Sequence, residues 1–74
     1  MTKAPRVEGK DVVAALKRGG CRVTHIRGSH HYLRCSGSVL VCIPIHSGVI
    51  VDLKTLKSIL EQAGLNMDEF VDLL

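Results

Sequence analysis

The stretch CRVTHIRGSHHYLRCSGSVLVCIPI, residues 21–45, differs in texture from everything around it. Its β-branched residues come in short runs, broken at Arg27-Gly28-Ser29 and again at Ser36-Gly37-Ser38, which predicts a three-stranded meander with strands near 21–26, 30–35 and 39–45. Register can be tested against the pattern, because a slip of one residue carries every side chain to the other face of the sheet. With three residues in each loop, Ile26 opposes His30 and Cys35 opposes Val39. One face then gathers Cys21, Val23, Leu33, Val39, Val41, Ile43 and Ile45, and the other gathers Arg22, Thr24, His30, Tyr32, Arg34 and His46. Two-residue loops would mix Arg34 with the valines, so the three-residue register is expected. The first face is the expected core, and the second is a cationic surface that carries histidines.

Helical patterns flank this stretch on both sides. Upstream, Gly9 to Arg18 sets Val12, Val13 and Leu16 on one stripe and stops at Gly19-Gly20, while residues 1–8, which include Pro5, read as a flexible N-terminus. Downstream, Asp52 is placed to cap a helix with Leu56, Ile59, Leu60 and Ala63 at helical spacing, which Gly64 ends. Asn66 followed by Glu69 reads as a capping-box variant for a last helix bearing Met67, Phe70, Val71 and Leu74. The order αβββαα predicts an α+β fold: one domain over residues 9–74, with two or three helices on one face of a three-stranded antiparallel sheet.

A chain of 74 residues with 46% hydrophobic content is one small globular domain. Such a chain buries only roughly 60% of the surface its unfolded form exposes, so a bound partner can add much of its working stability. Three cysteines, Cys21, Cys35 and Cys42, are odd in number and form no CxxC pair, which argues against a disulfide framework and suits a reducing cytoplasm. No secretory leader and no membrane span are expected: the start has no apolar core, and no run approaches ~18 apolar residues. The net charge of +3 is unevenly spread, since residues 1–34 hold eight basic side chains and two acidic ones. A cationic half of this kind favours a phosphate backbone or an acidic protein, although a solvated basic face would look the same.

Several chemistries lack their parts. The histidines His25, His30, His31 and His46 and the cysteines show none of the common zinc-site spacings. There is no nucleophile elbow and no phosphate-cradling glycine loop, and the acidic residues lie mostly in the C-terminal helices. What remains is histidine in a basic setting. An imidazole with a reference pKa of about 6.5 gives or takes a proton near neutrality, which suits RNA cleavage because RNA supplies its own nucleophile in the 2′-hydroxyl. Lys10, Arg27 and Arg34 are candidates to hold phosphate charge, and Tyr32 could stack on an unpaired base. Each has a plainer reading: Ser29 as a turn residue, Tyr32 as packing, His46 as the end of a strand beside Pro44, and Gly28 as a hairpin glycine with positive φ.

The markers Gly9-Lys10-Asp11-Val12-Val13, Gly28-Ser29-His30-His31-Tyr32, Val41 to Ser47 as Val-Cys-Ile-Pro-Ile-His-Ser, and Thr55 to Leu65 resemble, in this order, the HicA (YcfA-like) toxin family. The resemblance runs from about Gly9 to Leu74. It implies a double-stranded-RNA-binding-domain-like fold and an mRNA interferase that cuts RNA without needing the ribosome; no metal or other cofactor is expected. It also implies a HicB-like antitoxin that covers the active site, and it puts the catalytic histidine at His30. RNA contacts are then expected from Lys10, Arg27, Ser29, Tyr32, Arg34 and His46. The chain departs from the family pattern at Cys35 and at His25-Ile26. A module of the same fold that binds RNA or protein without cutting is the alternative expectation, and it would not depend on His30.

Overall fold

The structure, a computed structural model, describes residues 4–35 and 40–74. Its elements run α1 (Gly9–Arg18), β1 (Arg22–Arg27), β2 (His30–Arg34), β3 (Leu40–Pro44), α2 (Leu53–Ala63) and α3 (Met67–Leu73). This is the expected αβββαα order. The strands form one antiparallel sheet in the order β1-β2-β3, with the helices packed on one face, an α+β arrangement of the double-stranded-RNA-binding-domain type.

The helix ends explain themselves locally. Asp11 reaches back from the first turn of α1 to accept the Glu8 N–H at 3.0 Å. Asp52 accepts the Thr55 amide at 3.2 Å and the Thr55 hydroxyl at 2.6 Å, and Gly64 at φ 77° turns the chain out of α2. Asn66 and Glu69 close the capping box of α3 with reciprocal bonds of 2.8 and 3.0 Å. Val7 and Glu8, which composition put in the loose N-terminal stretch, are engaged in the fold. Val7 is buried and its carbonyl accepts the Val51 N–H, while the Glu8 carboxylate accepts the Gly48 N–H at 2.9 Å.

The core lies between the helices and the inner face of the sheet. Val12, Leu16, Leu33, Val41, Ile43, Leu56 and Phe70 are almost wholly enclosed there. Gly9 sets how closely α1 meets β3, because a β-carbon at that position would collide with the Pro44 carbonyl oxygen. Of the α3 stripe, Phe70 alone is buried, and Leu74 is exposed.

Register is where the sequence reading needs correction. The β1–β2 loop holds two residues, not three: Gly28 and Ser29 connect the opposed pair Arg27 and His30, so Ile26 faces His31 rather than His30. Gly28 has φ 56°, and among the described residues only glycines have positive φ, so Ser29 does not, the signature of a hairpin turn with glycine at its first central position. Further from the turn the expected register returns, with Val23 opposite Leu33 and Arg22 opposite Arg34. A β-bulge reconciles the two halves: Thr24 is an extra residue between Val23 and His25. The β2–β3 ladder keeps the expected register throughout, from His30 opposite Pro44 to Arg34 opposite Leu40. The Ser36-Gly37-Ser38 loop and the pairing of Val39 lie outside the described residues.

The cysteines also differ from expectation. Cys21 and Cys35, opposed positions one step beyond the Arg22–Arg34 pair, are joined by a disulfide with their Cα atoms 4.1 Å apart, and Cys42 is free. The odd count concealed a single cross-strand bond.

Candidate active site

On the outer face of the sheet, away from the helices, the pairing sets three rows across the strands: Arg22, Arg34 and Leu40; then His25, Tyr32 and Cys42; then Arg27, His30 and Pro44. No residue of the three strands is acidic, so the arginines and imidazoles of this face meet no carboxylate within the sheet. A polyanion that lies along it encounters only cationic and neutral groups.

His30 opens β2 immediately after the Gly28-Ser29 turn and is exposed, between Arg27 on one side and Pro44 on the other. The turn is rigidly placed, because the Ser29 carbonyl accepts the Ile45 N–H at 2.6 Å and so ties the hairpin tip to the chain leaving β3. Ser29 itself is half-buried. Arg27, expected in a loop, is the last residue of β1 and directly opposes His30. Tyr32 and Arg34 occupy the same face at alternate positions of β2.

The flanking candidates converge on the Pro44 end. Gly9 packs against the Pro44 carbonyl, which brings the start of α1, with Lys10 exposed in its first turn, to the Pro44 end of β3. His46 is exposed in a turn closed by the Val49 N–H on the His46 carbonyl at 3.0 Å. It lines a cleft of about 140 Å³ with Pro44, Val49, Asp52 and Thr55. The cleft therefore begins where the His30 row ends. Thr24, expected on the outer face as a regular strand residue, is instead the bulge residue.

Sequence reasoning missed His25 as a member of this face. The extra residue at Thr24 shifts the alternation so that His25 stands opposite Tyr32, and the two rings stack with centroids 4.3 Å apart and planes 9° from parallel. The signal was available: glycine at the first position of a two-residue connection shortens the loop, and a shortened loop requires a bulge to keep Val23 in the core. His31, next to His30, takes the helix side opposite Ile43, where it is half-buried.

Residues 9–65 match the family profile described as HicA toxin of bacterial toxin-antitoxin, which spans more than half of the chain. No curated protein matches the chain.

Proposed function

The chain belongs to the HicA toxin family of bacterial toxin–antitoxin systems, and from that membership we propose that it is an endoribonuclease, an mRNA interferase whose His30 transfers a proton during cleavage. The observation that carries the proposal is the setting of His30: exposed, beside Arg27, on a sheet face without a carboxylate. In the reaction the 2′-oxygen of RNA attacks the adjacent phosphorus and the bond from phosphorus to the 5′-oxygen breaks. The hydroxyl proton leaves to a base, and the departing 5′-oxygen gains a proton from an acid. An imidazole near its own pKa suits either transfer, and the cationic face stabilises charge on the phosphorus oxygens as it builds.

RNA would lie across the three rows, with phosphates met by Arg27, Arg34 and Lys10, the Ser29 turn as a boundary, His46 at the cleft end and Tyr32 as a stacking surface for an unpaired base. The family's antitoxin partnership supports a second element: a HicB-like protein with an acidic surface that silences the toxin by covering this same face. Such an interface weakens with added salt.

The test is incubation of purified protein with single-stranded RNA, with and without chelator, using wild type and His30→Ala and checking the fold by circular dichroism. Cleavage by wild type in chelator, lost in folded His30→Ala, is the expected result. Retention of RNA without cleavage would identify a binding module, and neither outcome a protein-interaction domain. A complex with antitoxin that still cuts RNA would rule out occlusion of this face.

A further inference from the structure

RNA transesterification needs two proton transfers on opposite sides of phosphorus, and one imidazole accounts for one of them. We propose that His25 is the second proton-transfer group, an inference that rests on the reading of His30 above. It stands on three observations.

The first is placement. The bulge at Thr24 carries His25 to the outer face, opposite Tyr32, and His30 is two residues before Tyr32 on the neighbouring strand. Diagonal cross-strand neighbours of this kind are about 7–8 Å apart, within reach of long side chains on one face. A phosphodiester between two such imidazoles can be hydrogen-bonded from both sides.

The second is orientation. The Thr24 hydroxyl donates its one proton to the Tyr32 carbonyl oxygen at 3.1 Å, so its oxygen is left to accept, and the atom it meets is His25 Nδ1 at 3.2 Å. With the hydroxyl proton on the Tyr32 carbonyl, this geometry assigns the hydrogen of the second contact to Nδ1. The neutral ring then presents a free lone pair at Nε2, and the charged ring presents an Nε2 proton, while the bond to Thr24 persists in both states. Stacking on Tyr32 holds the ring plane as well. An exposed histidine fixed by a hydrogen-bonded relay and a stacked ring is built to exchange a proton at one defined atom.

The third is surroundings. The charged and titratable groups that share its face are Arg22, Arg27, Arg34, His30, Tyr32 and the free thiol of Cys42, none of them a carboxylate that could draw the ring into an ion pair. During cleavage one imidazole takes the 2′-hydroxyl proton as the bond from that oxygen to phosphorus forms. The other, protonated, gives its proton to the 5′-oxygen as the old bond breaks, so the pair ends one turnover with its protons exchanged and the products are a 2′,3′-cyclic phosphate and a 5′-hydroxyl.

The experiment is the pH dependence of single-turnover cleavage of one RNA by wild type, His25→Ala, His25→Phe, Thr24→Val and His30→Ala, with RNA affinity and thermal melting measured alongside. Wild type is expected to give a bell. Both His25 variants should lose one limb of it and fall about 10²–10⁴-fold at the optimum, with affinity and melting near wild type for His25→Phe, which keeps the stack. Thr24→Val keeps the imidazole but not its anchor and should lose up to about 10²-fold with both limbs present. Loss of the acid limb assigns His25 as base and loss of the alkaline limb as acid; either supports the proposal. His25→Phe with wild-type rate and both limbs overturns it and leaves stacking as the residue's role, with the reading of His30 intact. A folded His30→Ala that cuts like wild type shows that the reading of His30 has failed instead.

Discussion

The two faces of the sheet are best compared through a pair of neighbours. His30 and His31 are consecutive in β2, yet His30 is exposed beside Arg27, whereas His31 is half-buried opposite Ile43 and its Nδ1 is enclosed with no hydrogen-bond partner among the described residues. One residue type thus serves two ends, and strand alternation alone separates them. The outer face holds groups that can act on a ligand, and the inner face holds groups that keep the fold closed. Substitutions should divide the same way.

The largest effect is expected at the neighbours themselves. His30→Ala should lower RNA cleavage by about 10²–10⁴-fold with an unchanged melting temperature, while His31→Ala should lower the melting temperature and leave the rate per folded molecule close to wild type. Cleavage rates with circular dichroism on both variants decide it, and the reverse pattern would mean that the faces are exchanged. Next comes the pair Tyr32 and Leu33. Leu33→Ala should cost about 2–5 kcal/mol in urea unfolding. Tyr32→Ala gives up a stacked ring, for about 0.5–1.5 kcal/mol, and should weaken RNA binding. Equal losses of stability from the two would show that the outer face is packed as a core.

Smaller effects sharpen the charge side of the comparison. Lys10→Ala and Arg34→Ala should each weaken RNA binding and flatten the slope of log affinity against log salt by about 0.7, the amount for one phosphate contact on a single strand. Unchanged slopes for both would take the RNA path off this face. The smallest effect lies away from the sheet, at the start of α2. The Thr55 hydroxyl and amide hold the Asp52 carboxyl below its ordinary value of 3.8. A depressed carboxyl stabilises the fold above its unfolded value, and that contribution fades as pH falls through the folded one. The stability difference between wild type and Asp52→Asn should be constant at neutral pH and narrow in acid; a gap that does not change with pH would remove the carboxylate from the cap.

Much of the architecture was legible because local chemistry and hydrophobic period agree. Gly9 to Arg18, Asp52 to Gly64 and Asn66 to Glu69 each carry start or stop signals that the folded chain uses, and the alternation through Leu33, Val41 and Ile43 placed the inner face. The failures have one physical source. Alternation assumes a period of two along the whole strand, and a bulge breaks that period without any mark in composition. His25 was therefore left off the outer face, and a three-residue loop places in the turn an extra residue that the strand itself accommodates. Cys21 and Cys35 escaped for another reason: their distance depends on long-range pairing, which spacing along the chain does not report.

The bulge in β1 also bears on how this fold tolerates changes in length. Between Val23, whose side chain faces inward, and Ile26, opposite His31, the ladder has use for one residue and the chain supplies two, Thr24 and His25. Loss of either would leave an unbroken alternation, with every other side chain of the strand on the face it now occupies. A single-codon deletion here should leave the fold in place in a way that deletion elsewhere in β1 should not, since removing Val23, for example, would bring Thr24 toward the core. This chain carries both residues, and so sets an imidazole on the outer face together with the hydroxyl that anchors it.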